Sequence, residues 1–193
     1  MPRVLVPLAE GFEEIEAITV VDLLRRAGIE VHTASLAGRA VTGSHGITVT
    51  ADLPLDQARA TDYDMIALPG GMPGADHLKQ DPRVISLLQQ FAQSGRYTAA
   101  ICAAPGVLAH AGLLEGRAAT SYPGFLRADS APGIRLREEA VVVDGKVATS
   151  RGPGTAMEFG LKLIELLAGP EARRRVQERL EMTRGQGTGD RGQ

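Results

Sequence analysis

Thr98-Ala99-Ala100-Ile101-Cys102-Ala103-Ala104-Pro105-Gly106 runs from strand to helix through one sharp corner. The apolar segment Thr98 to Ile101 has strand length and stops at Cys102, the only cysteine in 193 residues. Small residues and a proline follow, and a helical pattern begins at Val107-Leu108-Ala109. Strand, tight turn and helix in that order describe a nucleophile elbow, which pushes the turn side chain clear of the sheet. The free N–H groups of the following helix can favour negative charge there and lower a thiol pKa to about 3.5–7.5. A lone cysteine is more often a small buried hydrophobe. Here Ala103, Ala104 and Gly106 leave the turn crowded only by backbone, which favours an accessible, reactive thiol.

Outward from the elbow, strand and helix signals alternate. Val4 to Leu8 is an apolar run suited to a buried strand. Glu10-Gly11-Phe12-Glu13-Glu14-Ile15-Glu16 opens a helix predicted to reach Ala27 and to stop at Gly28. Ala17, Val20, Val21 and Leu24 form its apolar face; Glu16 lies on the margin, as a snorkelling edge residue or a buried acid. Ile15 and Ile18, ringed by Asp22, Arg25 and Arg26, form a second apolar face suggestive of a subunit contact. Strands are expected at Ile29 to Ser35, around a Gly43-Ser44-His45-Gly46 turn, at Asp64 to Leu68 and at Arg117 to Thr120. Short helices are expected at Leu55 to Ala60 and near Phe125 to Ala128. Asp81-Pro82 opens a longer one that Gly95 closes. Ala140 to Val143 and Lys146 to Thr149 read as a hairpin turning at Asp144-Gly145, before helices from Ala156 and Glu171.

The pattern implies an α/β fold: one domain with a doubly wound, mostly parallel sheet sandwiched by helices. It spans 1–183, and a Gly-rich polar tail at 184–193 is expected to be disordered. A net charge of −2 gives no nucleic-acid footprint or membrane-surface patch, and no stretch approaches membrane-spanning length. One cysteine allows no internal disulfide, so a soluble cytoplasmic protein is expected.

Ligands of open parallel sheets bind at the carboxyl ends of the strands. Three loops converge there: Ala9-Glu10-Gly11, Gly70-Gly71 and Cys102-Ala103. Gly70-Gly71 matches neither phosphate-binding fingerprint, and an oxyanion site fits better, with the N–H groups of Gly71 and Ala103 facing charge beside the sulfur. None of His32, His45, His77 or His110 has a spacing that places it at the sulfur, which weakens a Cys-His-Asp site. No metal-ligand cluster and no cofactor motif is apparent.

Ala9 to Ala17, Leu68-Pro69-Gly70-Gly71, Ala99 to Pro105 and Ser150-Arg151-Gly152-Pro153-Gly154-Thr155, in that order, resemble the ThiJ/PfpI superfamily. Within it, the chain resembles the branch of the human parkinsonism-associated deglycase and bacterial YajL. The resemblance runs from Arg3 to about Leu180 and implies a flavodoxin-like, class I glutamine amidotransferase-like sheet. It makes Cys102 the reactive cysteine and Glu16 the buried acid that hydrogen-bonds its sulfur. It makes Gly71 and Ala103 the backbone donors, and places Gly70, Tyr122, His45 and Pro153 around the substrate pocket. It further implies a homodimer through Ile15, Ile18 and Arg26, with the partner subunit's His45 reaching towards the site. One departure stands out: the human relative has a histidine where this chain has Tyr122, so any mechanism needing an imidazole there is in doubt.

The activity so implied is a glutathione-independent glyoxalase or deglycase acting on methylglyoxal, glyoxal or their early protein and nucleotide adducts. The rival from another class is a redox-sensing stress protein or chaperone using an oxidisable Cys102. A protease is disfavoured, because protease-like relatives carry His directly after the cysteine, where this chain has Ala103.

Overall fold

The computed structural model describes residues 1–182. The expected tail at 184–193 lies outside them. Among the described residues, eleven strands and six α-helices follow in chain order: β1 (Arg3–Leu8), α1 (Glu14–Arg26), β2 (Glu30–Ser35), β3 (Ala40–Thr42), β4 (Thr48–Thr50), β5 (Leu53–Pro54) and β6 (Met65–Leu68). Then come α2 (Gly74–Gln80), α3 (Pro82–Gln93), β7 (Tyr97–Ile101), α4 (Pro105–His110), β8 (Ala118–Ala119), β9 (Arg135–Leu136), β10 (Val141–Asp144), β11 (Val147–Ser150), α5 (Ala156–Ala168) and α6 (Pro170–Arg179).

Seven strands form the central sheet in the order β10-β11-β7-β6-β1-β2-β5. All its pairings are parallel except the β10–β11 hairpin at one edge. The chain steps from β1 outward to β2 and later returns to β1's other side with β6. That reversal opens a crevice at the carboxyl ends of β1 and β6.

Strand alternation builds two hydrophobic layers. Val4, Val6, Leu8, Met65, Ala67, Ala99 and Ile101 face α1, α5 and α6, where Leu23, Leu24, Phe159 and Ile164 meet them. Leu5, Ile66, Leu68 and Ala100 face the opposite layer, built on Leu78, Leu88, Phe91 and Leu108. With both faces covered, the parallel strands read as continuous apolar runs.

Several local expectations are corrected. Leu55–Gln57 and Ala60–Asp62 are separate 3₁₀ turns with extended Ala58 and Arg59 between them. Leu55 and Ala60 are both buried, yet on one α-helix they would stand about 140° apart. No helix forms at Phe125 to Ala128: Gly124 takes φ 91°, and the Ser121 hydroxyl accepts the Leu126 N–H at 3.0 Å. Such side-chain acceptors compete with helical bonding. The hairpin turns at Gly145-Lys146, one residue later than expected, because Asp144 pairs with Val147. Helix α2, the edge pair at β5 and strand β9 were not signalled: Pro73-Gly74 reads as a breaker, and β5 and β9 are two residues each.

Candidate active site

Cys102 sits at the end of β7 with φ 66°, one of two non-glycine residues at positive φ among the described residues. A left-handed cysteine costs about 1–2 kcal/mol, so the surrounding structure must hold it. It is held on both sides: its N–H donates to Ser150 O at 3.0 Å, and its carbonyl accepts the Tyr122 N–H at 2.9 Å. Neighbouring Ala103 and Ala104 are buried, and Cys102 as a residue is 9% exposed, so the site is tighter than the open turn expected.

Glu16 is fully buried, which resolves its marginal place on α1. Its Oε1 accepts the Gly70 N–H at 2.8 Å, while its Oε2 has no hydrogen-bond partner. Gly70 lies between acid and thiol. A Cβ there would stand 2.7 Å from Cys102 Cβ and 2.8 Å from Glu16 Oε1, so this backbone approach needs glycine. Gly71, at φ 91°, and Ala103 lie beside Cys102, and their N–H groups favour charge on the sulfur.

Burial pushes Glu16 up to about 7; the thiol and the Gly70 N–H pull the other way, and the Glu13 charge adds to the rise. Burial likewise pushes the Cys102 thiol up, to about 12, reinforced by the Glu16 carboxylate, while the Gly71 and Ala103 N–H groups favour the thiolate. The expected depression by the helix N-terminus is therefore corrected. The following helix has six residues, and Pro105 at its first position has no N–H to offer. Acid and thiol are close enough to titrate as one pair.

Tyr122, whose N–H donates to Cys102 O, has its ring edge-to-face with Phe125 at 6.1 Å and beside Gly152, where a Cβ would lie 3.3 Å from the ring. Pro153 follows in the 3₁₀ turn Pro153–Thr155. His45 lies beside Glu13 and Glu14 of its own chain, with Nδ1 3.3 Å from Glu14 Oε1. Ile15 and Ile18 are exposed, at 56% and 47%, and Arg26 pairs with Asp22 at 2.8 Å on the same helix.

Two buried acids escaped sequence reasoning. Glu13 caps α1, its Oε2 accepting the Glu16 N–H at 2.8 Å, and Glu14 is 5% exposed. Their signal was an acidic pair at a helix start, which also describes an ordinary exposed cap. The fold draws Glu13, Glu14 and His45 together, with ligand-type atoms within 4.8 Å, a grouping that spacing along the chain does not reveal. Both Glu14 oxygens already accept backbone N–H groups there.

No helix among the described residues is long and apolar enough to cross a membrane. A profile of the DJ-1/PfpI family matches residues 2–166. The chain is 42% identical over 170 residues to Protein DJ-1 homolog A of Arabidopsis thaliana, covering 87% of this chain and 43% of that protein. It thus spans less than half the length of that relative. It is 43% identical over 175 residues to Protein dj-1beta of Drosophila melanogaster, covering 90% of this chain and 92% of the relative. The crystal structure of Drosophila melanogaster DJ-1beta superimposes with a TM-score of 0.88 at 41% identity, over 95% of this chain and 99% of that one. A Pyrococcus abyssi protein named a deglycase is 33% identical over 165 residues, covering 86% of this chain and 99% of its own.

Proposed function

Because the chain belongs to the DJ-1/PfpI family, we propose that it is a cysteine-dependent, glutathione-independent glyoxalase or deglycase. Its substrates are methylglyoxal, glyoxal or their early adducts on proteins and nucleotides. The observation that carries this is the pairing of Cys102, strained and flanked by two N–H donors, with a buried Glu16 carboxyl whose second oxygen has no partner. A carboxyl poised near 7 can give and take a proton at neutral pH.

Glu16, a carboxylate while the thiol holds the pair's proton, takes that proton as the sulfur adds to the aldehyde carbon. A C–S bond forms, and the carbonyl electron pair moves to oxygen beside the Gly71 and Ala103 N–H groups. Glu16 protonates that oxygen and, now a carboxylate, removes the hydrogen on the same carbon. Returning that proton to the adjacent carbon, while the hydroxyl proton passes to the adjacent carbonyl oxygen, converts the hemithioacetal to a thioester. Water cleaves the C–S bond and releases lactate from methylglyoxal or glycolate from glyoxal, restoring the thiol. Tyr122 and Pro153 border the pocket. The protein works as a cytoplasmic homodimer, with Ile15, Ile18 and Arg26 in the contact and the partner subunit's His45 near the site.

The test is lactate release from methylglyoxal without glutathione, with Cys102→Ala and Glu16→Gln beside the wild type. Both variants are expected to lose at least about 10²-fold in kcat. Turnover retained by Cys102→Ala overturns the mechanism. An inactive wild type whose Cys102 oxidises under mild peroxide identifies a redox sensor instead.

A further inference from the structure

The proposed chemistry uses one of three buried carboxylates at the start of α1, and Glu14 is the best connected of the other two. Its Oε1 accepts from His45 N at 3.1 Å and Ser44 Oγ at 3.3 Å; its Oε2 accepts from His45 N at 2.9 Å and Ile47 N at 3.4 Å. All these donors belong to the loop between β3 and β4, a hairpin that lies outside the central sheet. Those bonds hold the Glu14 carboxyl below the ordinary range despite the opposing effect of burial. The titratable groups facing it are His45 and, on its own turn, Glu13. The loop is shaped to receive it: a Cβ on Gly43 would overlap the Glu14 carboxyl group.

The hairpin is bonded to residues 10–12, just before α1, at further points. Gly11 N–H donates to Thr42 O and Ser44 N–H to Phe12 O, each at 2.8 Å, and Glu10 Oε1 accepts Thr42 N–H at 3.2 Å. Residues 10–13 in turn brace the glycine loop, through Glu13 N–H to Gly70 O at 2.9 Å and Gly74 N–H to Gly11 O at 3.3 Å. Gly70 then donates to Glu16. A continuous chain of bonds therefore runs from the hairpin to Glu16, with Gly70 packed between that acid and the thiol, and Glu14 is its one buried side-chain anchor in the hairpin loop.

We propose that Glu14 is a positioning residue: by clamping loop 43–47 onto the start of α1, it sets the placement of Glu16 and Gly70 against Cys102. This rests on the glyoxalase or deglycase mechanism for its effect on turnover, but not for its effect on the thiol.

Cys102 is the only cysteine in the chain, so iodoacetamide alkylation reports on that sulfur alone. Alkylation rate against pH, methylglyoxal kinetics and the thermal midpoint are measured for wild type, Glu14→Ala, Glu14→Gln and Gly43→Ala. Glu14→Ala is expected to move the alkylation midpoint by about 0.5 pH unit or more. It is expected to lower kcat about tenfold with little change in KM, since Glu14 lies off the substrate. Glu14→Gln, which keeps one acceptor, falls between, and Gly43→Ala, which attacks the clamp from the loop side, follows Glu14→Ala. If Glu14→Ala does not fold, the other two variants decide by the same readouts. A moved alkylation profile in a protein with no wild-type turnover upholds the clamp and removes the enzyme. Folded variants with the wild-type alkylation profile overturn the clamp, whatever their thermal midpoints.

Discussion

Two parts of this chain hold half-buried or buried acids, at opposite ends of the strands, and treat them in opposite ways. At the β10–β11 turn, Asp144 accepts the Ala118 N–H at 2.8 Å and faces Arg117 and Arg135 at 3.4 and 3.2 Å. Those donors hold its carboxyl below the ordinary range. At the start of α1, Glu16 has one backbone donor, an unpartnered oxygen and no cation beside it, and burial pushes it up to about 7. An acid surrounded by donors keeps its charge and ties elements together. An acid denied them keeps a proton it can transfer. The difference lies in what each oxygen meets, since the residue types are nearly the same.

The contrast breaks first if the glycine loop can accept a side chain without consequence. Gly71 has φ 91°, and a Cβ there would overlap Glu13 N and lie 2.8 Å from Gly11 O, both backbone atoms that cannot swing aside. Left-handed strain and overpacking together predict a loss of about 4 kcal/mol for Gly71→Ala by urea unfolding. The variant is expected to abolish turnover and slow alkylation of Cys102, because the N–H that favours charge on the sulfur moves with the loop. Wild-type alkylation in a folded Gly71→Ala would mean that the loop does not set the thiol's surroundings.

A second measurement sharpens the contrast through pH. The folded pKa of Glu16 is raised, so the folded state binds its proton more tightly than the unfolded chain does. Stability from this group is fully present below about 4.5 and is lost as pH rises through about 7. A rise of this size corresponds to up to about 3 kcal/mol. Glu16→Gln removes that titration, so the wild type should lose up to about 3 kcal/mol relative to the variant between pH 4.5 and 8. A difference that stays flat with pH would place Glu16 among the ordinary ionised acids.

Much of this organisation could be read along the chain, for identifiable reasons. The elbow was legible because strand, turn and helix are contiguous and only small residues surround Cys102. The parallel sheet was legible because strands covered on both faces read as apolar runs. Periodicity left Glu16 on the margin of a helix face, and its burial depends on Phe159 and Ile101, far off in sequence, closing around the start of α1. The Glu14 clamp joins residues about thirty positions apart, and no local pattern announces it. The thiol's electrostatics were misjudged because the helix dipole is local, whereas burial and the Glu16 charge come from the fold.

The smallest expected effect is the mirror image of the Glu16 experiment. The folded pKa of Asp144 is depressed, so its contribution is present above the ordinary aspartate range and lost as pH falls through the folded value. Arg117 and Arg135 are 42% and 58% exposed, which screens their share and leaves the Ala118 N–H bond as the larger part. Asp144→Asn should therefore cost about 1 kcal/mol at pH 7, and the cost should vanish as the solution is acidified through the depressed folded value. Turnover and the alkylation profile of Cys102 should stay at wild-type values, since Asp144 lies at the far end of β10 from the elbow. The two stability differences should then run in opposite directions with pH, Glu16→Gln gaining on the wild type towards base and Asp144→Asn losing to it. If both run the same way, donor count is not what separates an acid that holds the fold together from one free to move a proton.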